Sequence, residues 1–284
     1  MSHSNLIETN EPKILEKWAF VNGHRIYYRC AGEAHKKTVV LLHAIASDSS
    51  QWLLNISALA EHFYVIAPDM PGFGQSEKPR DDCTIHSLVH FILDFIKCMG
   101  IEQVSLIGHS LGAAVALHFA LAYSTKVDRV VNVSGGYGYK LPAVKDNRQM
   151  GFLPGSLQLL NPTTQEQARK LLSLIIYDQQ FSQSDEVVEL LLTAARLSSK
   201  ANQSLIEAFA RREDTLDNQL NSLVQPMLII WGQEDTLTPI ALAERFRNDT
   251  PNSRLVTISQ CAHTPYIEHA EQFNQEVVNF LTDA

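Results

Sequence analysis

Hydrophobic positions along the chain follow two rhythms. Short continuous runs rich in β-branched residues occur at TVVLLHA (38–44), FYVIAPDM (63–70), QVSLIG (103–108), VDRVVNVSG (127–135), QPMLIIWG (225–232) and RLVTIS (254–259). An unbroken apolar run suits a strand covered on both faces, because a half-exposed strand would alternate apolar and polar residues. Between these runs lie longer stretches with apolar residues three and four apart: QWLLNISALAEH (51–62), TIHSLVHFILDFIKCMG (84–100), LGAAVALHFALAYS (111–124), PIALAERFRN (239–248) and AEQFNQEVVNFL (270–281). That spacing lines one face of a helix. Thr84 is placed to cap the first turn of its helix and Gly100 to end it. WAFVNGHRIYYRC (18–30) alternates on both sides of Asn22-Gly23, a strong hairpin-turn signal.

The strand–helix alternation stops after Gly135-Gly136. Residues 137–222 read as helical and rich in Leu, Gln and Ser, with helix starts signalled by Thr163-x-x-Glu166 and Ser182-x-x-Asp185. Strands resume at Gln225. The expected architecture is α/β: a doubly wound, mostly parallel sheet built from residues 1–136 and 223–284, interrupted by a helical cap insertion over 137–222. Reactive groups in such a sheet gather beyond the carboxyl ends of the strands.

Composition narrows the function classes. The chain has 284 residues, 45% of them hydrophobic, and a net charge of -8 without a Lys/Arg cluster. That field disfavours nucleic acid and anionic membrane surfaces as partners. No signal peptide or membrane span is expected. Cys30, Cys83, Cys98 and Cys261 lack CxxC spacing, so packing thiols and a cytoplasmic setting are expected, with no metal and no cofactor. His86 and His90 sit four apart on a helix, but HSLVH lacks the glutamate of a HExxH zinc motif.

The chemistry centres on GHSLG (108–112). Ser110 falls where a strand ends and a helix begins. Glycines two before and two after relieve crowding in a turn sharp enough to project the serine outward. The helix N-terminus adds free amides beside any oxyanion formed there. The competing reading is a Gly/Ser turn with Ser110 as N-cap. A serine nucleophile needs a base, and the base needs an orienting acid. His263, after the last strand, is the expected base, with His269 the weaker candidate. Glu234 and Asp235 follow the preceding strand, and Asp235 is the expected acid. The order Ser110, Asp235, His263 is that of a strand-to-helix serine nucleophile in an α/β sheet.

With these residues assembled, the sequence resembles the serine α/β-hydrolase superfamily, in its esterase/lipase and C–C (meta-cleavage product) hydrolase branch with a helical cap. VVLLHA, PDMPGFGQSEKP, GHSLG, WGQEDTLTP and AHTPYIEHAEQF carry the resemblance, over residues 18–135 and 223–283. It implies Ser110, Asp235 and His263 as a triad, and the backbone N–H groups of Leu111 and Ile45 as an oxyanion hole. The family usually reads His-Gly-x where this chain has His43-Ala44-Ile45, so a Cβ stands where glycine is usual. Serine at the elbow argues against the branches that use aspartate there, the haloalkane dehalogenases and epoxide hydrolases. His43, Phe152, Tyr177 and Phe181 are expected to line the substrate pocket. Other apolar residues of the insertion, including Leu153, Leu171, Leu174 and Ile175, form its own core or share in that roof. The expected function is a carboxylesterase-like serine hydrolase of small to medium apolar esters. The alternatives are a C–C hydrolase of vinylogous diketone acids, for which Lys140, Arg148, Arg196, Arg211 or Arg212 would supply a cation, and a ligand-binding protein with vestigial activity.

Overall fold

A computed structural model describes residues 12–137, 157–211 and 214–283. An antiparallel hairpin, β1 (Leu15–Val21) and β2 (His24–Ala31), opens the chain. Its turn is Asn22-Gly23, both with positive φ (49° and 83°), which matches the right-handed twist of the two strands. β3 (Thr38–Leu42), β4 (Tyr64–Pro68), β5 (Val104–His109), β6 (Val127–Val133), β7 (Met227–Gly232) and β8 (Ser253–Ile258) complete an eight-stranded sheet. The spatial order is β1-β2-β4-β3-β5-β6-β7-β8. All pairs from β4 onward are parallel, and β2 joins β4 antiparallel.

Continuous apolar runs make sense because both faces of this sheet are covered. Val40 and Leu42 of β3 enter one buried cluster, with α2 (Ile85–Cys98) and α3 (Leu111–Ala122) over them. Val39 and Leu41 enter the other, under α1 (Leu53–Ala60) and α10 (Ala270–Thr282). Each fully buried Val, Leu or Ile contributes about 1.5–3 kcal/mol relative to exposure. α3 is the exception to amphipathic spacing. Leu111 through Leu117 are all buried, so this helix is apolar all round and lies inside the molecule.

The helix boundaries follow local chemistry. Thr84 and Ser87 form a reciprocal capping box, and Gly100 (φ 68°) closes α2. Between β6 and β7 the described residues form only helices: α4 (Gln165–Ile175), α5 (Gln179–Ser182), α6 (Asp185–Leu197), α7 (Ser199–Arg211) and two short 3-10 turns. Two expected starts shift. Thr164, not Thr163, caps α4, because the Gln167 side chain binds the Thr163 amide and hydroxyl. Ser184 caps α6, while Ser182 ends α5. No described helix is long and apolar enough to cross a membrane. After β7 come α8 (Ile240–Asp249) and, beyond β8, α9 (Pro265–Glu268).

Candidate active site

Ser110 is the last residue before α3 and holds φ 51°, ψ −111°, a backbone region rare for a residue with a Cβ. Its side chain makes no N-cap hydrogen bond, so the simple capping role is not the one it performs. Two close approaches enforce the turn. A Cβ at Gly108 would overlap the Gly112 carbonyl, and one at Gly112 would overlap the Leu42 carbonyl at the end of β3. Only glycine at both positions lets the start of α3 press against the loop that follows β3.

That loop presents three successive amides. The Ala44 N–H donates to Gln51 Oε1 at 3.1 Å, and the Ala46 N–H to Asn202 Oδ1 at 3.1 Å. Between them, the Ile45 N–H has no acceptor among the described residues. Positive φ falls at Ala46 (54°), not at Ala44, so the alanine in place of the usual glycine carries no left-handed strain. His43, expected to line the pocket, is instead fully buried and spent on the backbone. Its Nε2 accepts from Met70 N–H at 2.9 Å, and its Nδ1–H donates to the Ala44 carbonyl at 2.8 Å. It shapes the loop after β3 from beneath.

Asp235 and His263 meet in the interior, 5% and 3% exposed. Asp235 Oδ2 lies 2.7 Å from His263 Nδ1, and its Oδ1 accepts the Leu237 and Thr238 amides at 2.9 and 2.8 Å. Thr238 Oγ1 lies 2.7 Å from Asp235 Oδ2, 3.1 Å from His263 Nδ1 and 3.2 Å from the Ser134 carbonyl. The carboxylate thus accepts from every side and holds Nδ1–H toward itself, leaving Nε2 as the acceptor. His263 Nε2 is buried and has no partner among the described residues. A base with a free acceptor nitrogen and a buried anion behind it can take a proton from a nearby hydroxyl.

The loops carrying these groups are locked to one another. Gly232, at the end of β7, touches the Ala262 and Cys261 carbonyls, a contact no side chain would permit. Glu234, adjacent to Asp235, accepts the Cys261 amide at 3.0 Å and fastens the two loops instead of meeting the imidazole. His269 begins α10 and bonds the Gln260 carbonyl, away from Asp235. Sequence reasoning passed over Thr238, although an Asp that closes an Asx-type turn onto the amide two residues on, here Leu237, brings the next residue beside its carboxylate. It also passed over His109, whose Nε2–H donates to the His263 carbonyl at 2.9 Å while its ring lies 4.8 Å from the His263 ring. His86 and His90 touch at 3.0 Å on the surface, and no metal-binding group of three is found among the described residues. Tyr177 and Phe181 are 44% and 46% exposed, surface positions where a buried roof was expected, and Phe152 lies outside the described residues.

Burial keeps two of these histidines neutral. Desolvation lowers the pKa of His109 well below 6.5, aided by the neighbouring His263, and lowers that of His43 against the pull of Asp69. Protonating His43 Nε2 would also set a proton against the Met70 N–H. The unfolded chain therefore takes up protons first as pH falls. The stability these groups contribute is full above about 6.5 and lost below it, with a slope up to about 1.4 kcal/mol per pH unit for each histidine. Urea midpoints measured from pH 7 to pH 5 are expected to fall, and His109→Gln to fall less steeply. Parallel slopes would contradict the assignment.

The α/β-hydrolase fold model matches residues 37–270. The chain belongs to the α/β-hydrolase family. A 2-hydroxy-6-oxononadienedioate/2-hydroxy-6-oxononatrienedioate hydrolase of Paraburkholderia phymatum is 30% identical to this α/β-hydrolase, over 90% of this chain and 91% of its own. Among solved structures, a meta-cleavage product hydrolase from Pseudomonas fluorescens IP01 superposes with a TM-score of 0.76 at 26% identity, covering 93% of this chain and 97% of its own. A 2-hydroxy-6-oxo-6-phenylhexa-2,4-dienoate hydrolase from Rhodococcus sp. strain RHA1 gives a TM-score of 0.81 at 24% identity, covering 96% and 100%, which speaks to the fold. The family and sheet expected from sequence are those found, and the named relatives place the hydrolase beside C–C bond hydrolases.

Proposed function

We propose that this α/β-hydrolase is a serine hydrolase working through an acyl-enzyme, with Ser110 as nucleophile, His263 as base and Asp235 as its orienting acid. The observation that carries this reading is the buried Asp235–His263 pair, 2.7 Å apart, with Nε2, opposite the carboxylate, left without a partner among the described residues. His263 removes the Ser110 proton as Oγ adds to a substrate carbonyl. The oxyanion is received by the Leu111 and Ile45 amides, each worth on the order of 10²–10³ in rate. His263 then returns the proton to the leaving group, and water releases the acyl group.

For the substrate, the relatives' names favour a vinylogous diketone acid over a simple ester. In that chemistry the bond broken joins the attacked carbonyl carbon to a neighbouring carbon, which departs as a dienolate and takes the His263 proton. A second reading, hydrolysis of an uncharged carboxylic ester, is favoured by the charges of the insertion. Among its described residues Lys170, Arg196, Lys200 and Arg211 are exposed, and Arg169 engages the Gln183 carbonyl and Asp185. None of these is a buried cation awaiting a carboxylate. Lys140, Arg148 and Arg212 lie outside the described residues.

One comparison decides the substrate class. A fluorophosphonate probe is expected to label wild type and not Ser110→Ala. In parallel assays, a 2-hydroxy-6-oxo-dienedioate is expected to exceed a series of p-nitrophenyl acyl esters in kcat/KM by about 100-fold. The reverse ranking establishes the ester reading, and absence of labelling in folded protein establishes a binding protein.

A further inference from the structure

We infer that Asn202, on α7 of the helical insertion, is a positioning residue for the oxyanion donor Ile45. The inference rests on the acyl-transfer reading above. Asn202 is fully buried and polar, so its amide has to find partners inside the molecule. Its carboxamide spans the joint between the insertion and the sheet. Oδ1 accepts the Ala46 N–H at 3.1 Å, across 156 residues of sequence, while Nδ2 donates to Asn161 Oδ1 at 3.2 Å and to the Ala195 carbonyl at 3.4 Å. The two acceptors facing Nδ2 fix which end of the amide turns toward Ala46, since a flipped amide would set oxygen against oxygen.

The bond falls at the one strained point of that loop. Ala46 holds φ 54°, which costs on the order of 1 kcal/mol or more for a residue with a Cβ and persists only where surrounding contacts enforce it. Gln51 holds the Ala44 amide from the sheet side, and Asn202 holds the Ala46 amide from the insertion side. The peptide between the two anchors carries the Ile45 N–H, the one amide of the three without an acceptor among the described residues. With both neighbours pinned, that N–H cannot rotate to find a partner of its own. Removing the Asn202 anchor frees Ala46 to relax toward negative φ and swings the Ile45 amide from its aim. The insertion thereby helps to set the oxyanion hole.

Such a residue acts on the tetrahedral state more than on ground-state binding. 1,1,1-Trifluorodecan-2-one reads this directly, because Ser110 Oγ adds to the carbonyl carbon of its unhydrated ketone while His263 takes the serine proton, and the hemiketal so formed leaves an oxyanion in the hole. For Asn202→Ala, kcat and affinity for the ketone are expected to fall together by about 10–100-fold, with KM changed less than about threefold. Arg169→Ala loosens the insertion at its Asp185 and Gln183 contacts without touching the loop after β3, and is expected to leave ketone affinity within about threefold. An equal loss in Arg169→Ala, or an Asn202→Ala effect confined to KM, overturns the inference. Amide hydrogen exchange on the wild-type protein reads the anchor whether or not the variant folds. Ala46 is expected to exchange at least tenfold more slowly than Ile45, and equal rates overturn the inference. A wild type that the ketone does not inhibit, turning over substrate no faster than Ser110→Ala, removes the acyl-transfer reading itself.

Discussion

Ser110→Ala is expected to lower kcat by roughly 10⁵–10⁶-fold and to abolish the burst of leaving group that an acyl-enzyme produces. Without Oγ there is no covalent route, and His263 has no hydroxyl to deprotonate. The Leu111 and Ile45 amides survive, so a residue of about 10³–10⁴ over water remains. The fold survives as well. The Ser110 side chain caps no helix amide, and alanine meets the same cost at φ 51° as serine because both carry a Cβ. Melting temperature therefore separates chemistry from stability, with a shift of no more than a few degrees expected. A variant retaining a tenth of wild-type turnover would place the nucleophile elsewhere.

The second large effect follows from how Asp235 is held. Its Oδ1 is fixed by two backbone amides, from Leu237 and Thr238, which only an oxygen can satisfy. In Asp235→Asn the amide oxygen must take that place, so the NH₂ takes the place of Oδ2, facing His263 Nδ1. A donor there makes Nδ1 an acceptor and moves the imidazole proton to Nε2. In the proposed mechanism His263 then carries a hydrogen on the nitrogen that needs a lone pair to deprotonate Ser110. A loss of about 10⁴ in kcat is expected, with substrate binding little changed. Fluorophosphonate labelling slows in parallel. Activity within tenfold of wild type would show that another group orients His263.

The strands of the sheet and the elbow were legible because each is local. Runs such as VVLLHA declare strands buried on both faces, and GHSLG declares its own turn by the glycines that flank it. The Asp235–His263 pairing was legible for a different reason: each lies directly beyond a strand, and parallel strands deliver their ends to the same edge. What could not be read is long-range polar contact. Nothing in the local pattern around Asn202 distinguishes it from other polar residues of α7, and its partner Ala46 lies in a loop far upstream. His43 was misjudged because a histidine beside a site resembles a binding group until its two nitrogens are seen bonded to Met70 and Ala44. Tyr177 and Phe181 were misjudged because apolar identity does not fix the direction of a side chain. Thr163 and Ser182 missed as caps by one or two residues, since adjacent Thr and Ser residues compete for the same amides.

The end of α4 has a consequence for how such a hydrolase could be redesigned. Helix ends leave carbonyls without partners inside the helix. Here those of Leu174 and Ile175 are taken up by Thr236, in the loop of Asp235, and by the His263 amide and Thr264 hydroxyl in the loop after β8. On the insertion side the hydrogen bonds of this seam come from the main chain, these two carbonyls and the Tyr177 N–H that donates to Glu268, and nearly every amino acid carries such groups. The exposed side chains along α4 can therefore be exchanged, as in a randomised library, without severing these bonds, provided the buried Ala168, Leu171 and Leu172 are kept and the helix still ends at the same place. A one-residue insertion or deletion within α4 would rotate those carbonyls away from both loops, and tolerance to substitution would coexist with intolerance to change in length.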